Sequence, residues 1–345
     1  MCAKWSSSQE TEVASRPDEE YIMDTFLLLG AGVLAFLGFT LFGNSMNFKS
    51  EIQKAYASAI SEFPDSNPFQ PGFIREYILS SVLDHRLIPG KKGRDAFDGD
   101  NDPVEYKTFK TGNWGMLNVE IAHGFEKHLT GTKNWYFAEF DTPFTIARIW
   151  VIPVKKVRKF CSDFMKRTSK TQGHVMINFS VKWIEENGDV VPVKPKKKDS
   201  PFIQHLRNAQ EIAAKGNKDE DITLKGRIRE ILMAEILGHT IVSNSKLADA
   251  IDDAGNEFEY LTSLPPGNFQ MTHMTEANSE NKVLRNEAIY CALFQDPVTI
   301  AEMWRVETDD YMKKMATRRP WPTDRQNNFT VTLVWVKGVG TQCQI

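Results

Sequence analysis

The chain has 345 residues, of which 41% are hydrophobic and 25% charged, with a net charge of −3. That is the profile of packed globular protein with room for about two domains, and it argues against a generally polycationic nucleic-acid binder, though not against a local basic groove. The four cysteines (Cys2, Cys161, Cys291, Cys343) stand far apart with no CxxC pair, so neither a zinc site nor a disulfide framework is indicated, and a reducing compartment is the default.

The first feature in chain order is Thr25 to Gly43, an uncharged stretch of 19 residues, long enough to span a bilayer. Asp18, Glu19, Glu20 and Asp24 precede it, so it lacks the positive n-region of a signal peptide. Lys49 and Lys54 follow it, which as an anchor would leave the globular part in the cytoplasm. Two other readings stay open: translation from Met46, and a helix buried against protein. Either way the globular part is expected in the cytoplasm, with membrane contact through residues 25–43 alone.

Residues 46–72 are expected to form a helix, Phe48 to Phe63, and then a turn-rich lead through Pro64, Pro68 and Pro71. The first domain is expected over 73–187. It opens with an amphipathic helix, because Ile74, Ile78 and Val82 recur every four residues. Two short strands follow, Asp95–Asp98 and Val104–Phe109, joined by a turn at Gly99–Asp102. Then come a helical segment near Glu120–Leu129, strands Trp135–Phe140 and Thr145–Ile152, a helix Lys155–Met165 and a closing strand Val175–Trp183. Residues 188–226 read as a basic linker and a helix, Gln204 to Lys215, and 227–345 as a second domain whose helix repeats the pattern through Ile228, Leu232 and Ile236.

The second domain is a copy of the first. Laid over Ile228–Thr262 with a shift of 154 and no gap, Ile74–Thr108 matches at 12 of 35 positions, where chance would give about two. Arg75/Arg229, Glu76/Glu230, His85/His239, Asp95/Asp249, Asp98/Asp252, Glu105/Glu259 and Tyr106/Tyr260 are among the matches. The same shift matches Tyr136–Trp150 to Tyr290–Trp304 at eight of 15 positions. One difference stands out: Lys107 of copy one is Leu261 in copy two.

Asp95, a ten-residue step to Glu105, and then Lys107, placed on a hairpin after an amphipathic helix, resemble the PD-(D/E)xK nuclease superfamily, the fold of many type II restriction endonucleases. The resemblance covers about 35 residues of each copy strongly and about 110 loosely, and it departs from the family's name in having Arg94 rather than proline before the aspartate. It implies an α/β fold of two tandem restriction-endonuclease-like domains, each a mixed β-sheet flanked by helices. It also implies Mg²⁺ (Mn²⁺ substituting) held by Asp95 and Glu105, hydrolysis of DNA phosphodiester bonds with Lys107 acting on the water, and 5′-phosphate and 3′-hydroxyl products.

The residues agree with that expectation. Positions i and i+2 of a strand share a face, so Glu105 and Lys107 converge while Tyr106 packs behind. Two carboxylates leave Mg²⁺ open positions for water and a phosphate oxygen. Asp98 rivals Asp95 as first carboxylate, though its place suits a turn cap. Glu76 is a further candidate ligand or a solvent-facing helix residue. His85 and His239 end apolar helices and read as structural. Gly112-Asn113-Trp114 and Gly267-Asn268-Phe269 read as a turn with a packing aromatic. Lys155, Lys156, Arg158 and Lys159, then Lys166, Arg167 and Lys170, then Lys194 and Lys196–Lys198, are candidates for contacts to a DNA backbone. In copy two, Asp249 and Glu259 remain but Leu261 cannot hold a phosphate. The expectation is one active site per chain and a degenerate partner that binds DNA or completes an intramolecular pseudo-dimer, with a homodimer as the other way to pair two sites. The alternative is a non-catalytic nucleic-acid-binding or assembly protein on the same fold.

Overall fold

The computed structural model describes residues 47–64, 66–89, 94–110, 115–168, 173–193, 198–242, 248–275, 278–318 and 327–345. The hydrophobic stretch 25–43 and Gly112-Asn113-Trp114 lie outside them. Among the described residues no helix is long and apolar enough to cross a membrane.

Helix α1, Phe48–Glu62, starts where the Asn47 side chain accepts the Ser50 amide at 2.6 Å, and it stops at Phe63, before a proline that cannot continue it. Helix α2, Phe73–Leu83, is capped by Gly72 at φ 93 and leaves through Asp84 at φ 61. There follow β1 (Arg86–Leu87), β2 (Ala96–Phe97), β3 (Pro103–Lys110), β4 (Gly115–Glu120), α3 (Glu126–Leu129), β5 (Asn134–Thr142), β6 (Thr145–Pro153), α4 (Val154–Arg167), β7 (His174–Phe179), α5 (Val181–Asn187) and β8 (Asp189–Val191). The sheet order is β1-β2-β3-β5-β6-β8, with β3 and β5 parallel and every other neighbouring pair antiparallel. Strands β4 and β7 form a separate antiparallel pair.

The second half repeats this element by element. Helices α6 (Pro201–Gly216) and α7 (Arg227–Leu237) lead into β9 (Thr240–Ile241), β10 (Ala250–Ile251), β11 (Glu257–Ser263), β12 (Asn268–Met274), α8 (Ser279–Leu284), β13 (Ala288–Phe294), β14 (Ile300–Glu307), α9 (Thr308–Ala316), β15 (Asn327–Thr332), α10 (Leu333–Val339) and β16 (Thr341–Gln342). Its sheet, β16-β14-β13-β11-β10-β9, again has one parallel neighbour pair, β11 with β13, and β12 pairs with β15. The fold is therefore α/β, with two mixed six-stranded sheets flanked by helices.

Three local expectations change. The segment expected as a helix over Glu120–Leu129 instead ends strand β4 at Glu120, makes a single 3-10 turn at Ile121–His123, and breaks at Gly124, φ 64, before the one-turn α3. The strand expected to reach Trp183 stops at Phe179, because the Ser180 side chain accepts the Trp183 amide and starts α5. Strand β8 adds a sixth strand inside the stretch read as a linker, paired along β6.

The repeat also begins earlier than the matched segments suggest. With the same shift of 154, Phe48, Ile52 and Ala55 of α1 correspond to Phe202, Leu206 and Ala209 of α6, and all six are buried. The two helices pack on each other, and the buried Glu51 carboxylate is held by Lys54 at 2.8 Å, His205 at 2.8 Å and Asn208 at 2.9 Å. One apolar core runs through α1, α2, α6, α7 and the inner faces of both sheets. Two further cores, around Trp135 and Phe179 in copy one and around Phe269 and Tyr311 in copy two, cover the outer faces. Residues 46–345 form one compact unit.

Candidate functional site

Strand alternation puts Val104 and Tyr106 of β3 into the shared core and turns Glu105 and Lys107 to the other face. There the Lys107 ammonium donates to Glu105 Oε1 at 2.6 Å and to the Tyr106 carbonyl at 3.0 Å, and lies 4.9 Å from the centre of the Trp135 ring. Asp95 enters from beside β2, its Oδ2 accepting the Tyr106 amide at 2.6 Å. Glu76 comes from the first turn of α2. A Cβ at Gly72 would sit 2.7 Å from Glu76 Oε1, so the glycine at positive φ makes room for that carboxylate.

The electrostatics tie these four groups together. Burial pushes the Asp95 carboxyl up to about 6, Glu105 adding to the push while Lys107 and the Tyr106 amide oppose it. Burial, then Asp95 and Glu105, push Glu76 up to about 8 against the pull of Lys107. For Lys107 itself burial works against the charge, but Glu105, Asp95 and Glu76 outweigh it and hold the ammonium above its ordinary value. Lys107 is thus a charged lysine that keeps 15% of its side chain exposed, beside a Glu105 that keeps 13%. Asp95 and Glu105 offer hard oxygen donors of the kind a divalent cation takes, and a cation beside them would offset the burial and the mutual field that hold Asp95 up.

Asp98 serves the turn. Its Oδ1 accepts the amides of Asp100 at 3.1 Å and Asp102 at 2.9 Å, and in copy two Asp252 Oδ1 accepts those of Ala254 and Asn256, both at 2.9 Å. Among the described residues, the acidic trio with ligand oxygens within 4.8 Å of one another is Asp98, Asp100 and Asp102, not Glu76, Asp95 and Glu105. Its third member pairs with Lys133 at 2.5 Å, and copy two has alanine and asparagine at the last two positions. His85 and His239 lie behind the sheets, with Nδ1 2.9 Å and 2.8 Å from the hydroxyls of Tyr106 and Tyr260.

On α4, Lys155, Lys156 and Lys159 are exposed, while Arg158 is engaged by Glu126 at 3.1 Å, Lys159 by Asp163 at 2.7 Å and Lys156 by the Asn187 carbonyl at 2.8 Å. Lys166 and Arg167 close that helix; Lys170, Lys194, Lys196 and Lys197 lie outside the described residues.

Copy two builds the same frame. Asp249 Oδ2 accepts the Tyr260 amide at 2.8 Å, and Gly226, φ 86, leaves its open side to Glu230 Oε1, 3.1 Å from where a Cβ would stand. Leu261 is buried in the outer apolar core. Cations nevertheless reach this frame from elsewhere: Lys282 Nζ lies 3.5 Å from Glu259 Oε1, Arg285 Nη2 3.4 Å from Glu259 Oε2, and Arg227 Nη1 3.1 Å from Glu230 Oε2. Arg227 also forks onto the buried Glu220. Burial and Asp249 raise Glu259 to about 7 against Lys282 and Arg285, and burial and Asp249 raise Glu230 to about 8 against Arg227. A cavity of about 610 Å³ opens onto Glu230, Asp249, Glu259, Lys282 and Arg285.

Reading the hairpin alone misses Lys282 and Arg285, because they belong to and follow α8, more than 20 positions after Glu259. The duplication does not mark them either, because the matching positions of copy one hold His128 and Gly131. No protein-family model and no curated protein matches this chain.

Proposed function

We propose that the chain is a Mg²⁺-dependent endonuclease that hydrolyses DNA phosphodiester bonds on a restriction-endonuclease-like fold, with Asp95, Glu105 and Lys107 at the reacting site. The observation that carries this reading is the convergence of Asp95, Glu105 and Lys107, with Glu76 behind them, on one partly open face of the β2–β3 hairpin. The mixed sheet, with an antiparallel hairpin followed by a parallel neighbour, is the frame that such a site needs.

Asp95 and Glu105 would hold the ion. Bound there, Mg²⁺ would polarise the phosphodiester and lower the pKa of water. Lys107 stays charged because three carboxylates surround it, so it orients the attacking water and offsets the charge that builds on the phosphate oxygens. Asp95, fixed by the Tyr106 amide, cannot swing out of the site, which keeps the two carboxylates in register. The exposed Lys155, Lys156 and Lys159 of α4, with the half-buried Arg158 beside them, supply backbone contacts to double-stranded DNA, and the two copies together present a pseudo-dimeric surface to it.

The test is incubation of the purified chain from Met46 with supercoiled plasmid, with Mg²⁺ or with EDTA. Cleavage that appears with Mg²⁺, vanishes with EDTA and leaves 5′-phosphate ends supports the reading. DNA binding without cleavage under all metal conditions would replace it with a non-catalytic binding role.

A further inference from the structure

Several residue pairs related by the shift of 154 meet in one place. A cavity of about 450 Å³ opens where the two copies join, walled by Gly72 with Gly226, Arg75 with Arg229 and Thr108 with Thr262. Asp95, Glu105 and Lys107 take no part in it. Its volume lies in the range that holds a small organic ligand. The exposed Lys225 adds a third cation, and among the described residues that line the cavity there is no carboxylate. In a chain of net charge −3, that concentration of one sign is local and comes from both copies at once.

Both arginines are held in place and left largely unused. Arg75 Cζ stands 5.5 Å from the centre of the Phe140 ring, and Arg229 Cζ 5.1 Å from that of Phe294, the equivalent ring of copy two. Arg75 Nη2 donates to Asp221 Oδ2 at 3.0 Å, and its buried Nε meets no acceptor among the described residues. The copy-one equivalent of Asp221 is Asn67, so Arg229 lacks the carboxylate that Arg75 finds across the join. Arg229 Nε donates to the Pro297 carbonyl at 3.3 Å, and its terminal nitrogens have no acceptor among the described residues. Asp296 acts on Arg229 through its field alone, because its Oδ1 accepts the Val298 and Thr299 amides, both at 2.8 Å. Burial pulls both guanidinium groups down from their ordinary value, against Asp221 for Arg75 and against Asp296 for Arg229.

Helices α2 and α7 add their positive ends. Each starts behind a glycine at positive φ that has no side chain to cap it, which leaves first-turn amides without a side-chain acceptor beside Gly72 and Gly226. Packing gives no reason for this arrangement, since half-buried donors without acceptors cost desolvation that a paired or apolar residue would avoid. An oxyanion with acceptors on several sides meets arginine forks from two copies better than a planar carboxylate does. We propose that this cavity binds the phosphate group of a small molecule, gripped by Arg75 from copy one and Arg229 from copy two. Thr108 and Thr262 donate their hydroxyls to it, and the apolar Ile74 and Ile228 line the room for the rest of the ligand. The site does not rest on the endonuclease reading. A ligand that touches both copies stabilises the joined molecule by mass action.

Isothermal titration calorimetry on the full chain, in EDTA and at constant ionic strength, tests it with inorganic phosphate and with phenyl phosphate. The metal-free buffer keeps phosphate held by a divalent ion out of the signal. At least one probe should bind saturably with one equivalent per chain and raise the melting temperature. Arg229→Gln should weaken that binding roughly 10- to 100-fold, as for lost hydrogen bonds to a charged group, and Arg229→Lys, which keeps the charge but not the fork, should fall between. Melting curves show whether each variant is folded; where Arg229→Gln is not, Thr262→Val gives the reading, with a several-fold loss expected. No saturable binding of either probe to wild type in the millimolar range overturns the site, and so does binding that the folded variants leave unchanged. A short DNA duplex is the third ligand. Duplex binding that depends on Arg229 while neither probe binds assigns the cavity to a DNA backbone and overturns the small-molecule site. None of these outcomes depends on whether the chain cuts DNA.

Discussion

At the scale of single residues, the site separates aspartates that look alike in the sequence. Asp95 turns its carboxylate to the Tyr106 amide beside Glu105, whereas Asp98 spends its own on the turn. Asp95→Asn is therefore expected to remove metal-dependent cleavage with little loss of stability. Asp98→Ala should cut normally but lose about 0.5–2 kcal/mol, the usual range for a lost backbone cap, read from urea midpoints. The opposite pattern would exchange their roles. Lys107→Ala should lower the rate of linear product at least about 100-fold. Its affinity for DNA in gel shifts should stay within about twofold, since one lysine is a small part of a backbone-wide contact. A variant that linearises plasmid at the wild-type rate would remove Lys107 from the mechanism.

At the scale of elements, the α1–α6 pair carries a buried ion cluster whose sign is clear. Burial alone would raise Glu51, but hydrogen bonds from Lys54, His205 and Asn208 outweigh it and hold the carboxyl at about 2, below its ordinary 4.5. A depressed carboxyl pKa contributes stability that is complete above the unfolded value and is lost as pH falls through the folded one. Glu51→Gln should cost about 1–3 kcal/mol at neutral pH, as expected for hydrogen bonds to a charged group. The gap between wild type and variant in urea midpoint should close as pH falls from about 4.5 to about 2. A gap that persists unchanged at the acid end would mean that packing, not the charge, holds the two helices.

At the scale of the whole molecule, the two copies are not beads on a string. The apolar faces of α1 and α2 meet those of α6 and α7 in one core, so neither copy can bury its helices alone. The full chain should unfold in one cooperative transition, and residues 46–198 by themselves should give poorly dispersed amide resonances and bind a hydrophobic dye. An independently folded, cooperatively melting fragment would show that the shared core is dispensable.

Much of this protein was legible in its residues because the signals are local and repeated. The period-two strand put Glu105 and Lys107 on one face, the helical spacing of Ile74, Ile78 and Val82 marked α2, and one ungapped shift exposed the duplication. The failures came where a short-range feature overrode a longer pattern: Gly124 and Ser180 ended elements that apolar residues alone would have continued. The packing of α1 on α6 and the cation supply of copy two were decided by tertiary structure. Leu261 announces a lost lysine along the strand, but whether a charge returns depends on which helix the chain folds over Glu259. Lys282 and Arg285 reach that carboxylate only because α8 and the residue after it fold back beside Glu259.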